Sequence, residues 1–188
     1  MRKLVWSTPV SLDGFVEGPN GLDWVSADDE MHDASAAQMR SADAILFGRV
    51  TYELFVDFWP TAATNPISTA SMIGFANAIN RESLSKFVFS KTLDRVDWNA
   101  RLLRDIVPEE IAKMKMQPGQ NIEIAGASVG SALAGLGLVD EYELLVHPVV
   151  LGSGKPMFKR IQHPLNLKLL KTQTFRSGVV VLRYATVA

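Results

Sequence analysis

Short apolar runs recur along the chain, each separated from the next by a segment with helical spacing or by turn residues. That alternation predicts a sheet flanked by helices. The runs at 3–7, 44–47, 86–90, 121–125, 141–147, 166–175 and 179–186 read as strands. Ala44 to Phe47 and Phe87 to Phe89 are apolar without alternation. Strands covered on both faces have this pattern, so parallel pairing is expected there. Only Arg176, Ser177 and Gly178 separate the last two runs, which predict an antiparallel hairpin finishing the sheet.

Helices fit between these runs. Ser26 stands before 27–40 with an acid three places on at Asp29, a variant of the capping box. The segment 51–59 is short and stops at Pro60. Met72, Phe75, Ala76 and Ile79 share helical spacing within 71–79, and Pro108 suits the first turn of 108–115. Val129, Leu133 and Leu136 make one apolar face of a last helix, with Gly135 and Gly137 marking its end. The stretch 61–69 is the loosest and is too short for a domain boundary, so one α/β domain over 1–188 is expected.

Composition narrows the classes of function. With 188 residues, 47% hydrophobic and 21% charged, the chain reads as an ordinary soluble globular protein. A net charge of -1 leaves no global positive field to hold nucleic acid or an acidic membrane surface. The absence of Cys removes disulfides, thiolate nucleophiles and Cys-ligated zinc or iron–sulfur sites. The amino-terminal segment reaches Ser7, Pro9 and Asp13 before any signal-peptide apolar core forms. No stretch approaches the roughly 20 apolar residues of a membrane span, and a cytoplasmic location is expected.

Three strand ends carry candidate chemistry. In the first, a buried run enters a helix through Gly48, Arg49 and Thr51. A helix start presents unpaired N–H groups and partial positive charge, and Arg adds a planar donor fork for phosphate. The second, Ser90-Lys91-Thr92, offers two hydroxyls and a cation. The third, Gly126-Ala127-Ser128-Val129-Gly130, is a small-residue turn into a helix, where the glycines serve either a ligand or close helix-on-sheet packing. Ligands of open α/β sheets bind outside the carboxyl ends of strands, where such segments converge.

Other patterns lead elsewhere. The loop from Ser11 to Trp24 holds Asp13, Gly14 and Phe15, then an Asn20-Gly21 turn, and is placed to cover a ligand. Asp29 either caps its helix or offers a carboxylate to a nitrogen heterocycle. Asp28, Asp29, Glu30, His32 and Asp33 are too closely spaced on a helix to converge on a metal, and no metal site is expected. No HExxH or zinc-deaminase signature is present. Gly152-Ser153-Gly154-Lys155 fails as a P-loop, because Val149 replaces the first glycine and Pro156 the Ser or Thr.

In order, the motifs SLDGF (11–15), LDW (22–24), GRVTYE (48–53), FSKTL (89–93), AGAS (125–128) and HPVVLGSGKPMF (147–158) resemble the dihydrofolate reductase-like superfamily. The resemblance is strongest to the reductase domain of bifunctional riboflavin-biosynthesis deaminase-reductases. It implies a mostly parallel central sheet flanked by helices, an antiparallel carboxyl-terminal strand, and a cleft for NADPH. By the same resemblance Arg49 and Thr51 sit at a phosphate-binding helix end. Ser90, Lys91 and Thr92 lie near the adenosine 2′-phosphate, and Gly126, Ala127, Ser128, Val129 and Gly130 near the pyrophosphate. Asp13, Gly14, Phe15 and Trp24 would border the substrate, and Asp29 would be the catalytic acid. The implied activity is NADPH-dependent reduction of a ribosylaminopyrimidine or related heterocycle by a homodimer. Dihydrofolate reduction, or nucleotide binding without turnover, are the alternatives.

Overall fold

The computed structural model describes residues 1–187. Its main strands are β1 (Leu4–Ser11), β3 (Ala42–Gly48), β4 (Ser85–Phe89), β5 (Ala100–Leu103), β6 (Asn121–Ala125), β7 (Glu141–His147), β9 (Leu167–Thr174) and β10 (Val180–Thr186). They form one sheet in the order β5-β4-β3-β6-β1-β7-β10-β9. All pairings from β5 to β7 are parallel. β10 runs antiparallel to both β7 and β9, so it alone opposes the others. Two short strands, β2 (Phe15–Glu17) and β8 (Lys155–Pro156), make a separate antiparallel ribbon.

The helices are α1 (Asp29–Arg40), α2 (Arg49–Phe58), α3 (Ala70–Asn80), α4 (Pro108–Met116) and α5 (Ala127–Gly135). Because successive strand residues face opposite ways, register divides the core in two. On one face Trp6, Leu46, Ile122, Ile124 and Tyr142 join Ile111 of α4 and Val129 and Leu133 of α5. On the other, Ile45, Phe47 and Val88 meet Ala36 and Met39 of α1, Tyr52 of α2, and Phe75 and Ile79 of α3. Trp6, Leu46 and Phe47 have no solvent exposure. Each such side chain contributes roughly 1.5–3 kcal/mol by leaving water. This double cover explains the unbroken apolar runs.

Some boundaries differ from the sequence reading. α1 starts at Asp29, with Asp28 rather than Ser26 as its cap; the Asp28 carboxylate accepts the Met31 N–H at 2.9 Å. An acid in that place also meets the positive helix end, together with Asp29 and Glu30 in the first turn. α2 begins at Arg49, directly after Gly48. The strands β2, β5 and β8 have two to four residues and no alternation long enough to read.

The strand starts are closed by charged side chains. Arg2 pairs with Asp43 and donates to the Gln120 carbonyl at 2.9 Å. Lys115 pairs with Asp140 at 2.8 Å, and Asp140 accepts the Leu4 N–H. Arg81 donates to the Ala42 carbonyl. At the carboxyl ends of β3, β4 and β6 the molecule opens.

Candidate active site

A cavity of about 1110 Å³ starts at the carboxyl ends of β3, β4 and β6 and runs along the α1 face of the sheet. Its rim brings two helix starts together. Gly48 precedes α2 and Gly126 precedes α5, and neither helix has a side-chain cap. A Cβ on Gly126 would lie 2.9 Å from Thr51 Oγ1 and 3.3 Å from the Gly48 nitrogen, and the residue has φ +125°. Only glycine allows this approach. The unpaired N–H groups of both helices thus face one space and favour an anion there.

Four cations line the same rim: Arg49, Lys91, Arg104 and Lys155. Arg49 pairs with Glu53 at 2.8 Å and Lys91 with Asp105 at 3.0 Å, all well exposed. Exposed pairs of this kind are worth little, so both cations can change partner at small cost. Arg104 donates to the carbonyls of Ser90 and Leu93, fixing the loop after β4. The Ser90 oxygen accepts the N–H groups of Thr92 and Leu93 and lies 3.4 Å from Thr92 Oγ1, an arrangement that tightens the turn. Lys155 reaches from β8 to Ser128 at 2.9 Å and to Glu17 at 3.5 Å, crossing the mouth.

The floor is different. Met31 and Met39 of α1, Leu54 and Phe55 of α2, then Trp59, Phe75 and Leu145 form an apolar wall. Trp59 and Phe75 meet edge to face with centroids 4.6 Å apart. Into this wall project Ser7, Ser35, Gln38 and Glu123. Glu123 stands three residues before Gly126 on β6, about 10 Å along the strand. It is 1% exposed and accepts from Gln38 Nε2 at 2.7 Å through Oε2. Its Oε1 has no partner among the described residues. Burial pushes the Glu123 carboxyl well above the usual carboxylate range, and nearby Glu143 adds to this.

The sequence-expected residues divide on this cavity. Gly48, Arg49, Thr51, Ser90, Lys91, Thr92, Gly126, Ala127, Ser128 and Val129 all line it. Gly130 does not: a Cβ there would enter the Trp6 ring, so this glycine serves packing of α5 on the sheet. Asp13, Gly14, Phe15 and Trp24 also lie off the lining. Asp13 accepts from Ser11 at 2.6 Å and from the N–H groups of Leu151 and Gly152, and these bonds, Ser11 first, hold its carboxyl below its ordinary value. The Gly14 carbonyl accepts from Met157, Phe15 belongs to the β2–β8 ribbon, and Trp24 stacks edge-on against His147. They pin the loop, whose Val16, Glu17, Gly21, Leu22 and Asp23 line the cavity instead. Gly18 and Gly21 exchange backbone bonds around the Asn20-Gly21 turn. Asp29 is exposed, accepts from Thr69 Oγ1 at 2.6 Å and is absent from the lining, so the geometry gives it no contact with a bound ring.

Sequence reasoning missed Arg104, Lys155, Gln38 and Glu123. Lys155 lay inside the discarded phosphate-loop pattern; Gly154 is there because a Cβ would strike the Glu17 carbonyl of the adjoining ribbon. For Glu123 one signal existed, a lone acid in the apolar strand Asn121 to Ala125. An unpaired charge in a doubly covered strand is costly and calls for an explanation.

The sheet order, the lone antiparallel strand and the cavity at the strand ends define a dihydrofolate reductase-like α/β protein. The family model described as the RibD C-terminal domain matches residues 2–181, and the chain belongs to that family. An uncharacterized protein of Bacillus subtilis (strain 168), YyaP, is 37% identical over 97% of this chain and 94% of its own length. Among solved structures, a putative riboflavin biosynthesis protein from Shewanella sp. PV-4 superposes with a TM-score of 0.74 at 18% identity, covering 99% of both chains. Dihydrofolate reductase from Enterococcus faecalis, complexed with NADP(H) and RAB-propyl, gives a TM-score of 0.61 at 13% identity over 98% of this chain and 96% of that one. At these identities the two structures speak for the fold.

Proposed function

We propose that the chain is an NADPH-dependent reductase of a ribosylaminopyrimidine or a closely related heterocycle. One observation carries the reading: a single cavity joins two uncapped helix starts and four cations to an apolar, aromatic-walled pocket. The donor set suits a phosphorylated dinucleotide. Backbone N–H groups at Gly48 to Thr51 and Gly126 to Val129 would hold its pyrophosphate, with Arg49 beside them. Lys91, Ser90 and Thr92, with Arg104 behind the loop, would meet the 2′-phosphate. When bound, NADPH supplies hydride.

The remaining work falls to the chain. Trp59, Phe75, Leu54 and Met31 exclude water from the ring, and Val16 and Leu22 cover it from the loop side. The Lys155 bridge between Ser128 and Glu17 ties that cover to the start of α5. Positioning the ring against the cofactor face is what such walls contribute to rate. The exposed place of Asp29 counts against dihydrofolate as the substrate.

The test is to add NADPH, then the ribosylaminopyrimidine or dihydrofolate, and to follow cofactor absorbance. Oxidation with the pyrimidine and not with dihydrofolate is expected. Binding of NADPH without oxidation would favour a nucleotide-binding protein without turnover.

A further inference from the structure

We propose that Glu123 is the specificity-determining hydrogen-bond donor of the cavity floor, presenting Oε1 to a carbonyl oxygen of a planar, uracil-type heterocycle. The inference rests on the reading above only in taking the floor as the heterocycle's place. Three observations converge on it.

First, Glu123 lines the cavity while its Oε1 is unpartnered, and a buried polar atom left without a bond is costly enough to need a purpose. Second, Gln38 already occupies Oε2 at 2.7 Å, so Oε1, itself buried, is the end of the carboxyl left without a partner. Third, the neighbouring charges are committed elsewhere. On β7, Glu141 takes Lys3, which precedes β1, at 2.5 Å and Arg183 of β10 at 2.7 Å, while Glu143 takes Arg183 at 3.4 Å. Lys171 of β9 acts on Glu143, and His32 of α1 stands on the cavity wall. No cation pairs with Glu123 among the described residues.

Burial, the largest influence, together with Glu143 and Glu141 favours the neutral form of this acid, against the opposing pull of Arg183 and of the Gln38 hydrogen bond. A neutral carboxyl has one O–H to donate, and with Oε2 holding Gln38 that donor belongs on Oε1. Its complement is an acceptor. Within an apolar wall this pair discriminates strongly, because the wrong group leaves both polar atoms unpaired. A ring bearing carbonyls therefore fits, and one bearing amino groups in the same places does not.

The experiment uses diaminouracil and tetraaminopyrimidine, the same ring with carbonyls replaced by amino groups, titrated by calorimetry into NADPH-loaded wild type, E123Q and E123L. Wild type should favour diaminouracil by about tenfold to hundredfold. E123Q, whose amide keeps a donor, should retain the preference, and E123L should lose it. The wild-type preference should fall as pH rises and Glu123 ionises, while that of E123Q stays flat. E123L should unfold no earlier than wild type, because an apolar residue of similar volume replaces a buried acid with an unpartnered oxygen, whereas a merely structural role would show as lost stability. If E123L folds poorly, the two pH profiles decide. Full preference in E123L, a wild-type preference for tetraaminopyrimidine, matching pH profiles in wild type and E123Q, or no binding of either ring would overturn the proposal. Ring preference without NADPH oxidation by any pyrimidine would leave this inference standing and remove the reductase reading; oxidation without ring preference would do the reverse.

Discussion

The rim and the floor of the cavity meet a ligand with different parts of the chain. At the rim the donors are backbone N–H groups of two helix starts and exposed cations whose present partners, such as Glu53 and Asp105, are also exposed. At the floor the polar groups are side chains rooted in the sheet and α1, half-buried for Ser7, Ser35 and Gln38, and buried and unsatisfied for Glu123. Rim groups pay little for being ready, since water and neighbouring acids serve them when no ligand is bound. Floor groups are dear to the fold, and the difference implies that their identity is tied to one ligand. General anion affinity therefore belongs to the rim and ring discrimination to the floor.

The largest expected effect separates core from rim within one helix turn. Gly130→Ala drives a methyl into the Trp6 ring, and overpacking of this sort costs about 1–3 kcal/mol. Urea unfolding should show a lowered midpoint with an unchanged slope. A midpoint equal to wild type would return Gly130 to the ligand-facing set.

Next come the rim cations, where stability should hold and affinity should move. Lys91→Ala should weaken NADPH about tenfold and leave NADH unchanged, as loss of a charge-assisted bond to the 2′-phosphate requires. Arg49→Ala, beside the helix start, should weaken both cofactors alike. Fluorescence titration with both nucleotides reads the pattern. Equal affinity of wild type for NADPH and NADH, untouched by either substitution, would misplace the 2′-phosphate site.

A smaller effect is the pH dependence of stability, which has opposite signs for two buried groups. Burial lowers the pKa of His147, so the native state binds fewer protons there than the unfolded chain. Its contribution is present above the ordinary histidine value and is lost as pH falls below it. Glu123 is raised, so the native state holds a proton that the unfolded chain has released. Its contribution declines as pH rises from the ordinary carboxylate range upward. The stability of E123Q relative to wild type should therefore grow with pH, as thermal unfolding across the neutral range would show. A constant difference would mean that Glu123 does not titrate as described.

Asp29→Asn carries the smallest expectation. The side chain is exposed and meets only Thr69 Oγ1, a contact the amide oxygen preserves. Stability should stay within about 0.5 kcal/mol of wild type, and NADPH oxidation should keep its rate. A large drop in turnover would restore a catalytic role to this acid.

The same division governs what could be read from the chain. Gly48, Ser90 and Gly126 were legible because a glycine or hydroxyl following an apolar run is a local pattern, and parallel topology then gathers strand ends at one edge. The floor draws Ser7, Gln38 and Glu123 from three elements that meet only through register, as when Val5 stands between Glu123 and Glu141. No spacing in the sequence encodes that meeting. Asp13 and Trp24 misled for a related reason: their motif is distinctive, but its polar and aromatic groups hold the loop to residues near 150 instead of facing the cavity. Asp29 was one position from the true cap, and only the backbone at Asp28 distinguishes the two.

The central claim is that one cavity receives two ligands at separate ends. Methyl-resolved NMR tests it directly, with Ala127 and Val129 reporting on the rim and Met31 and Met39 on the floor. NADPH added alone should shift the Ala127 and Val129 methyls and leave those of Met31 and Met39 in place. Diaminouracil added to the NADPH-loaded protein should then shift Met31 and Met39. If both ligands move the same set of methyls, or if the heterocycle displaces NADPH from the rim, the two-ended account is wrong.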